Sequence, residues 1–233
     1  MASGGIDSIW FDFVSLAEYH QEMKMWQKQS SFVAILSALI SLTSCTAYNK
    51  FDIRKAQVTS PSGKASVFVV GVDEREYLKN GEIGPDYLGL TRDGVGIPYL
   101  IKTATKRPLA LEIAEAVTDS LHAGGRQTVK AESAKDGASA VSKFRGIGVN
   151  RLVLIRIKKW ESETLWRTGL DYSVNVDVYD KGGQLLSSSS KANYADLGGS
   201  ALPAMHAKES VMRELGSILT SLLNEPQIQK ALQ

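Results

Sequence analysis

Hydrophobic positions along the second half of the chain recur in two distinct rhythms. Tyr172, Val174, Val176 and Val178 alternate with Ser173, Asn175 and Asp177, the two-residue period of a strand with one buried face. Asp180-Lys181-Gly182-Gly183 then reads as a hairpin turn, and residues 184–194, with Ser187 to Ser190, as its solvated edge partner. Residues 67–72 are a near-continuous apolar run, as expected of a buried strand, and residues 151–160 read as a strong strand. A 3.6-residue rhythm takes over elsewhere. Ala110, Ile113, Ala114, Val117 and Leu121 form the stripe of a helix that opens at Pro108 and stops at Gly124-Gly125. Val211, Leu215, Ile218, Leu219 and Leu222 do the same for a helix over 203–223, and residues 226–232 read as a last turn packing back. A short helix is expected over 136–144, closed by Gly146, a short strand over 127–131, and a link over 161–168. Residues 78–107 read as a long loop, or as a hairpin pivoting at Asp93-Gly94 with arms 87–90 and 97–101. The order predicts one α/β domain over 66–233, a mixed β-sheet with about three helices packed on it.

The amino-terminal part follows neither rhythm. Lys24 and Lys28 precede an uncharged apolar run from Phe32 to Leu42, and small residues follow, the three-part build of a secretory signal. Eleven apolar residues make about 16 Å of helix at ~1.5 Å per residue, short of the ~20 residues a bilayer span requires. Leu42-Thr43-Ser44-Cys45 resembles the lipobox of bacterial lipoproteins. The resemblance implies cleavage before Cys45, a diacylglyceryl group on its sulfur and an acylated (palmitate-type) new amino group. Thr46, where Asp marks inner-membrane retention in that class, implies the periplasmic face of the outer membrane. Two or more acyl chains anchor stably where one binds only marginally. Segment 23–44 is therefore the expected signal peptide and 45–65 a lipidated, flexible tether. Residues 1–22 carry Asp7, Asp12, Glu18 and Glu22 ahead of Met23 and Met25, and read as a leader extension from a start assigned too early.

Behind the lipobox, the first strand, the Pro108 helix ending in Gly-Gly, the Leu152 to Ile157 strand, the Tyr172 to Tyr194 hairpin and the closing helix resemble the small envelope lipoproteins of the YajG type. They also resemble the wider set sharing the fold of the TolB amino-terminal domain. The stretch from Gly89 to Tyr99, with Arg107 to Ala110, is similar to a segment of uncharacterised proteobacterial lipoproteins. The resemblance implies a non-catalytic envelope protein.

Composition narrows the choice further. Hydrophobic residues make up 43% and charged residues 22%, ordinary for a globular domain. Leaving out Lys24, Lys28 and the four acidic residues before position 45 gives 25 basic against 21 acidic, a balance of +4 too mild for nucleic acid. One cysteine cannot form an internal disulfide, no Cys/His cluster announces a metal, and no cofactor motif is present. Asp73 and Glu74 follow a buried strand, so a hydrolase pairing them with His122 or His206 is one alternative reading. A small-ligand or glycan-binding crevice along the 77–107 loop is another. The reading preferred on sequence is a lipid-anchored protein that binds an envelope protein partner or assists its assembly. Its expected contact surface is built from Tyr77, Tyr87, Tyr99, Trp160 and Trp166, the tryptophans flanked by Lys158, Lys159 and Arg167 at a hairpin tip. Mass spectrometry of the unprocessed precursor checks the start: the first peptide is expected to begin at Met23 or Met25, and a peptide from residues 1–22 would refute that.

Overall fold

The computed structural model describes residues 50–81 and 83–233; the leader, the signal segment and the Leu42-Thr43-Ser44-Cys45 motif lie outside the described residues. Eight strands occur among them: β1 (Lys50–Phe51), β2 (Val67–Asp73), β3 (Tyr87–Arg92), β4 (Pro98–Thr103), β5 (Glu132–Ala134), β6 (Arg151–Thr164), β7 (Arg167–Asp180) and β8 (Leu185–Gly199). The helices are α1 (Glu76–Lys79), α2 (Leu109–Ala123), α3 (Gly137–Phe144), α4 (Pro203–Leu223) and α5 (Pro226–Ala231).

All eight strands join one mixed sheet, and β6 organises it. Along one edge β6 pairs antiparallel with β7, which pairs with β8. Along the other edge it takes two parallel partners in succession, β2 from Arg151 to Ile157 and β3 from Ser162 to Thr164. β5 continues the sheet beyond β2, while β4 and then β1 continue it beyond β3. Gly89 makes the second junction possible: its φ is +148°, and a Cβ there would stand 2.1 Å from the Ser162 carbonyl oxygen.

Alternation along β2 and β6 divides the core. Val67, Val69, Val153, Ile155 and Ile157 face α2, α4 and α5, together with Val174, Val176 and Val178 of β7. Phe68, Val70, Val72, Leu152 and Leu154 face α3 through Ala140 and Phe144. With both faces covered, β2 is apolar from Val67 to Val72, as a central parallel strand requires. Asp136 caps α3 by accepting the Ser139 amide.

The mixed sheet with helices packed on it, the α2 and α4 helices, the 180–183 turn and the β3–β4 hairpin agree with the sequence reading. Three elements differ. The strand expected over 127–131 forms instead at Glu132–Ala134, Thr128 making only an isolated bridge to Val67. The expected link over 161–168 is two strand ends, because the buried hydroxyls of Ser162, Thr164 and Thr168 find partners across β3 and β7. The segment expected as tether lies on the domain from Lys50 onward. Phe51 and Ile53 are wholly buried, the Thr59 amide donates to Thr220 on α4, and the Ser60 hydroxyl donates to the Ser120 carbonyl on α2.

Gly71 of β2 sits against α2 so closely that a Cβ would stand 2.0 Å from the Ala110 carbonyl oxygen. Gly71→Ala is expected to cost about 1–3 kcal/mol by overpacking. Gly94→Ala, with nothing within 4 Å of its added Cβ, stays within about 0.5 kcal/mol of the parent. Denaturant midpoints of the two variants check this.

Candidate functional site

Between Ile157, the last residue of β6 paired with β2, and Ser162, the first paired with β3, this edge of β6 lacks a strand partner among the described residues. Arg75 and Tyr77 fill this seam. The Arg75 guanidinium is wholly buried and holds Asp73 through two contacts, Nε to Oδ1 at 2.7 Å and Nη2 to Oδ2 at 2.7 Å. It also donates to the Tyr87 carbonyl at 2.7 Å, the Pro85 carbonyl at 3.3 Å and the Tyr77 hydroxyl at 2.8 Å. Tyr77 in turn donates to the Trp160 carbonyl at 2.9 Å, satisfying the exposed strand edge. Burial works against the guanidinium charge, and the Asp73 carboxylate more than offsets it, leaving Arg75 harder to deprotonate than usual. Burial raises the Tyr77 phenol despite the Arg75 charge, and pushes Tyr87 up to about 12.

Beside the seam, at the carboxyl ends of β2 and β5, lies an open cleft of about 690 Å³. Glu74, Glu76, Glu161, Lys79, Lys135 and Lys158 line it with interleaved charges. Such a lining suits ion pairing with a charged surface rather than apolar or glycan packing. Of the 77–107 stretch, Tyr77 and Lys79 line this cleft, and residues 87–103 form the β3–β4 hairpin.

The hydrolase grouping does not assemble. Asp73 is engaged by Arg75 at the end of β2 that faces the start of α2. His122 is exposed at the far end of that 15-residue helix, about 20 Å away. His206 contacts the Leu197 carbonyl at 3.0 Å, beside the end of β8. No group of three His, Cys, Asp or Glu suited to a metal occurs among the described residues.

The five aromatic side chains expected to share one surface are divided between the core and the surface. Trp160 is wholly buried and packs against Tyr172, and Tyr87 is buried edge-on to Tyr77. Tyr77 is half-buried, while Tyr99 and Trp166 are exposed. Both exposed rings belong to one end of the sheet. β3 and β6 are parallel, so the β3–β4 tip and the β6–β7 tip project the same way. Val95 (83% exposed), Ile97, Leu165 and Trp166 (64%) crown these tips, with Leu202 and Met205 next to the end of β8. None of the aliphatic members was singled out by sequence; their signal was apolar residues inside turn-rich segments.

No family model and no curated protein matches the chain. Solved structures with a similar fold include protein XCC0632 from Xanthomonas campestris, of the DUF330 family, at 12% identity over 76% of this chain and 94% of that one, with a TM-score of 0.48. The PelC dodecamer from Paraburkholderia phytofirmans is similar at 14% identity, over 72% and 95%, with a TM-score of 0.39. Lipoprotein GNA1162 from Neisseria meningitidis is similar at 15% identity, over 57% and 83%, with a TM-score of 0.27. At these scores neither family membership nor function passes from them to this chain.

Arg75→Met strands the Asp73 carboxylate and the Tyr87 carbonyl, while the Pro85 carbonyl keeps the Leu109 amide, and is expected to cost about 3–5 kcal/mol. Arg75→Lys recovers only part of this, because a point charge cannot repeat the forked geometry. Denaturant titration of both variants, read with the hydrogen-exchange rates of β3 amides, checks the loss and its location.

Proposed function

We propose that this chain is an envelope lipoprotein: an α/β domain anchored through lipid on Cys45 that binds another envelope component, or assists its assembly, without performing covalent chemistry. The observation that carries the reading is Leu42-Thr43-Ser44-Cys45, which contains the only cysteine of the chain and follows a basic flank and an apolar run of signal length. Among the described residues no helix is long and apolar enough to cross a membrane. The reading assigns attachment to the acyl chains on Cys45, because the apolar run over 32–42 is shorter than a bilayer span. Thr46 supports the outer membrane as the destination.

The contact surface in this reading is the charged cleft at the end of β2. Glu74, Glu76 and Glu161 alternate there with Lys79 and Lys158, and a partner of complementary charge order would be selected and steered by them. Arg75 keeps the neighbouring backbone rigid, so the cleft meets its partner already formed.

Cys45→Ser tests the anchor. The variant is expected to keep its signal segment and to take up no acyl label in growing cells, while the parent is shortened and labelled. Normal shortening and labelling of the serine variant would end the proposal. Cross-linking in intact envelopes then tests the partner: a discrete product is expected that Glu74→Lys combined with Glu161→Lys abolishes.

A further inference from the structure

Most of the exposed large apolar side chains among the described residues crowd onto one end of the sheet; only Leu185 and Leu186 stand at the opposite end of β8. This end is not a frayed edge. In the β3–β4 tip the Asp93 carboxylate accepts the amides of Val95 at 3.0 Å and Ile97 at 2.9 Å, and the Asp93 carbonyl accepts that of Gly96 at 3.0 Å. With the Asp93 amide donating to the Ile97 carbonyl at 3.1 Å, these bonds occupy four of the turn's amides, and Val95 and Ile97 stand exposed. Satisfied backbone is what a segment needs before it enters a medium poor in water. Two charge pairs stand nearby, Arg92 with Glu163 at 2.9 Å and Arg167 with Asp196 at 2.7 Å, which leaves the Asp93 carboxylate, held by the turn's own amides and the Tyr99 hydroxyl, as the charge of the tip without an ion-pair partner. The end therefore presents apolar groups with little net charge, and a tryptophan at its rim, the residue favoured where hydrocarbon meets headgroups.

Chain connectivity says what covers it. β1 runs parallel to β4 with Lys50 opposite Lys102, so the chain enters the domain from the side of the β3–β4 tip. Cys45 stands five residues before Lys50. Five residues reach about 17 Å at most, which spans the remaining length of β4 to its tip. They cannot reach the Asp180–Gly183 turn, about 30 Å the other way along β6 at roughly 3.3 Å per residue. Resting on the lipoprotein reading above, we propose that the β3–β4 and β6–β7 tips form a second membrane contact. Val95, Ile97, Leu165 and Trp166 enter the bilayer interface beside the acyl chains of Cys45, fixing the domain upright instead of leaving it on a leash.

The test uses the processed, acylated protein reconstituted into phosphatidylcholine vesicles containing brominated phosphatidylcholine. Of the four tryptophans, Trp10 and Trp26 precede Cys45, and Trp160 is wholly buried, so Trp166 reports alone on the tips. Bromolipid is expected to remove roughly half of the tryptophan emission, Trp166's share, at the depth of about 5–10 Å that interfacial groups reach. Trp166→Phe should abolish that quenching, and Val95→Glu with Ile97→Glu should diminish it while the protein still floats with the vesicles. Vesicle-bound protein whose Trp166 is unquenched by bromolipid and open to acrylamide would overturn the inference and leave the anchor standing. Shielding from acrylamide that rises with protein concentration, without bromolipid quenching, would assign the end to a second copy and overturn it equally. Protein recovered from envelopes without an acyl group would overturn both readings.

Discussion

A buried guanidinium holds together the interval of β6 where, among the described residues, neither β2 nor β3 lies alongside. β6 is 14 residues long, whereas β2 accompanies it only as far as Ile157 and β3 joins only at Ser162. Across that interval Arg75 gathers the end of β2 through Asp73 and the approach to β3 through the carbonyls of Pro85 and Tyr87. Its neighbour Tyr77 takes the otherwise unpaired carbonyl of Trp160. A buried ion pair adds little net stability over an apolar filling of the same shape, because two charges must be stripped of water. What it supplies is geometry. Directional contacts from one planar group fix where β3 starts, and an apolar side chain could fill the space without fixing anything.

The position of β3 decides the shape of one end of the molecule. Because β3 meets β6 in parallel at Ser162–Thr164, with Gly89 allowing the backbones to approach, its turn and the β6–β7 turn finish side by side. β4 and β1 then continue outward, and the direction of β1 fixes the side from which the preceding chain arrives. Arg75, Gly89 and the arrival of the chain from Cys45 are thus links in one sequence of constraints.

Periodicity revealed the elements whose burial is decided locally. α4 occupies the expected 203–223, and the alternation of β7 names its buried face correctly, because each stripe meets a core that any compact fold would supply. What stayed illegible depends on distant pairing. Residues 161–164 of β6 read Glu-Ser-Glu-Thr, a polar stretch with no strand signature, yet Ser162 and Thr164 are fully buried because Leu88 and Thr168 receive their hydroxyls. Arg75 lies in the charged run Asp73-Glu74-Arg75-Glu76, which resembles a solvated strand end; nothing local tells that carbonyls 10 and 12 residues later close over it. Phe51 and Ile53 were hidden for the same reason, two apolar residues in a polar stretch whose partners lie on α2 and β4.

The aromatic residues show that residue type alone does not separate an interface from a core. Trp160 and Trp166 are six residues apart on one hairpin with similar basic neighbours. Trp160 falls on the inward parity of β6, whereas Trp166 falls in the turn, beyond the last cross-strand pair at Thr164 and Thr168, where parity no longer applies. The same geometry separates the two surfaces of the domain. Lys158, on the charged cleft, lies seven residues from Leu165 at the apolar tip, about 23 Å along β6 at roughly 3.3 Å per residue. That exceeds the Debye length of about 8 Å at physiological ionic strength, so charges at a bilayer surface beneath the tips would be largely screened from the cleft. A domain standing on its apolar end thus keeps the cleft clear of the membrane, where its charge order is available to select a partner.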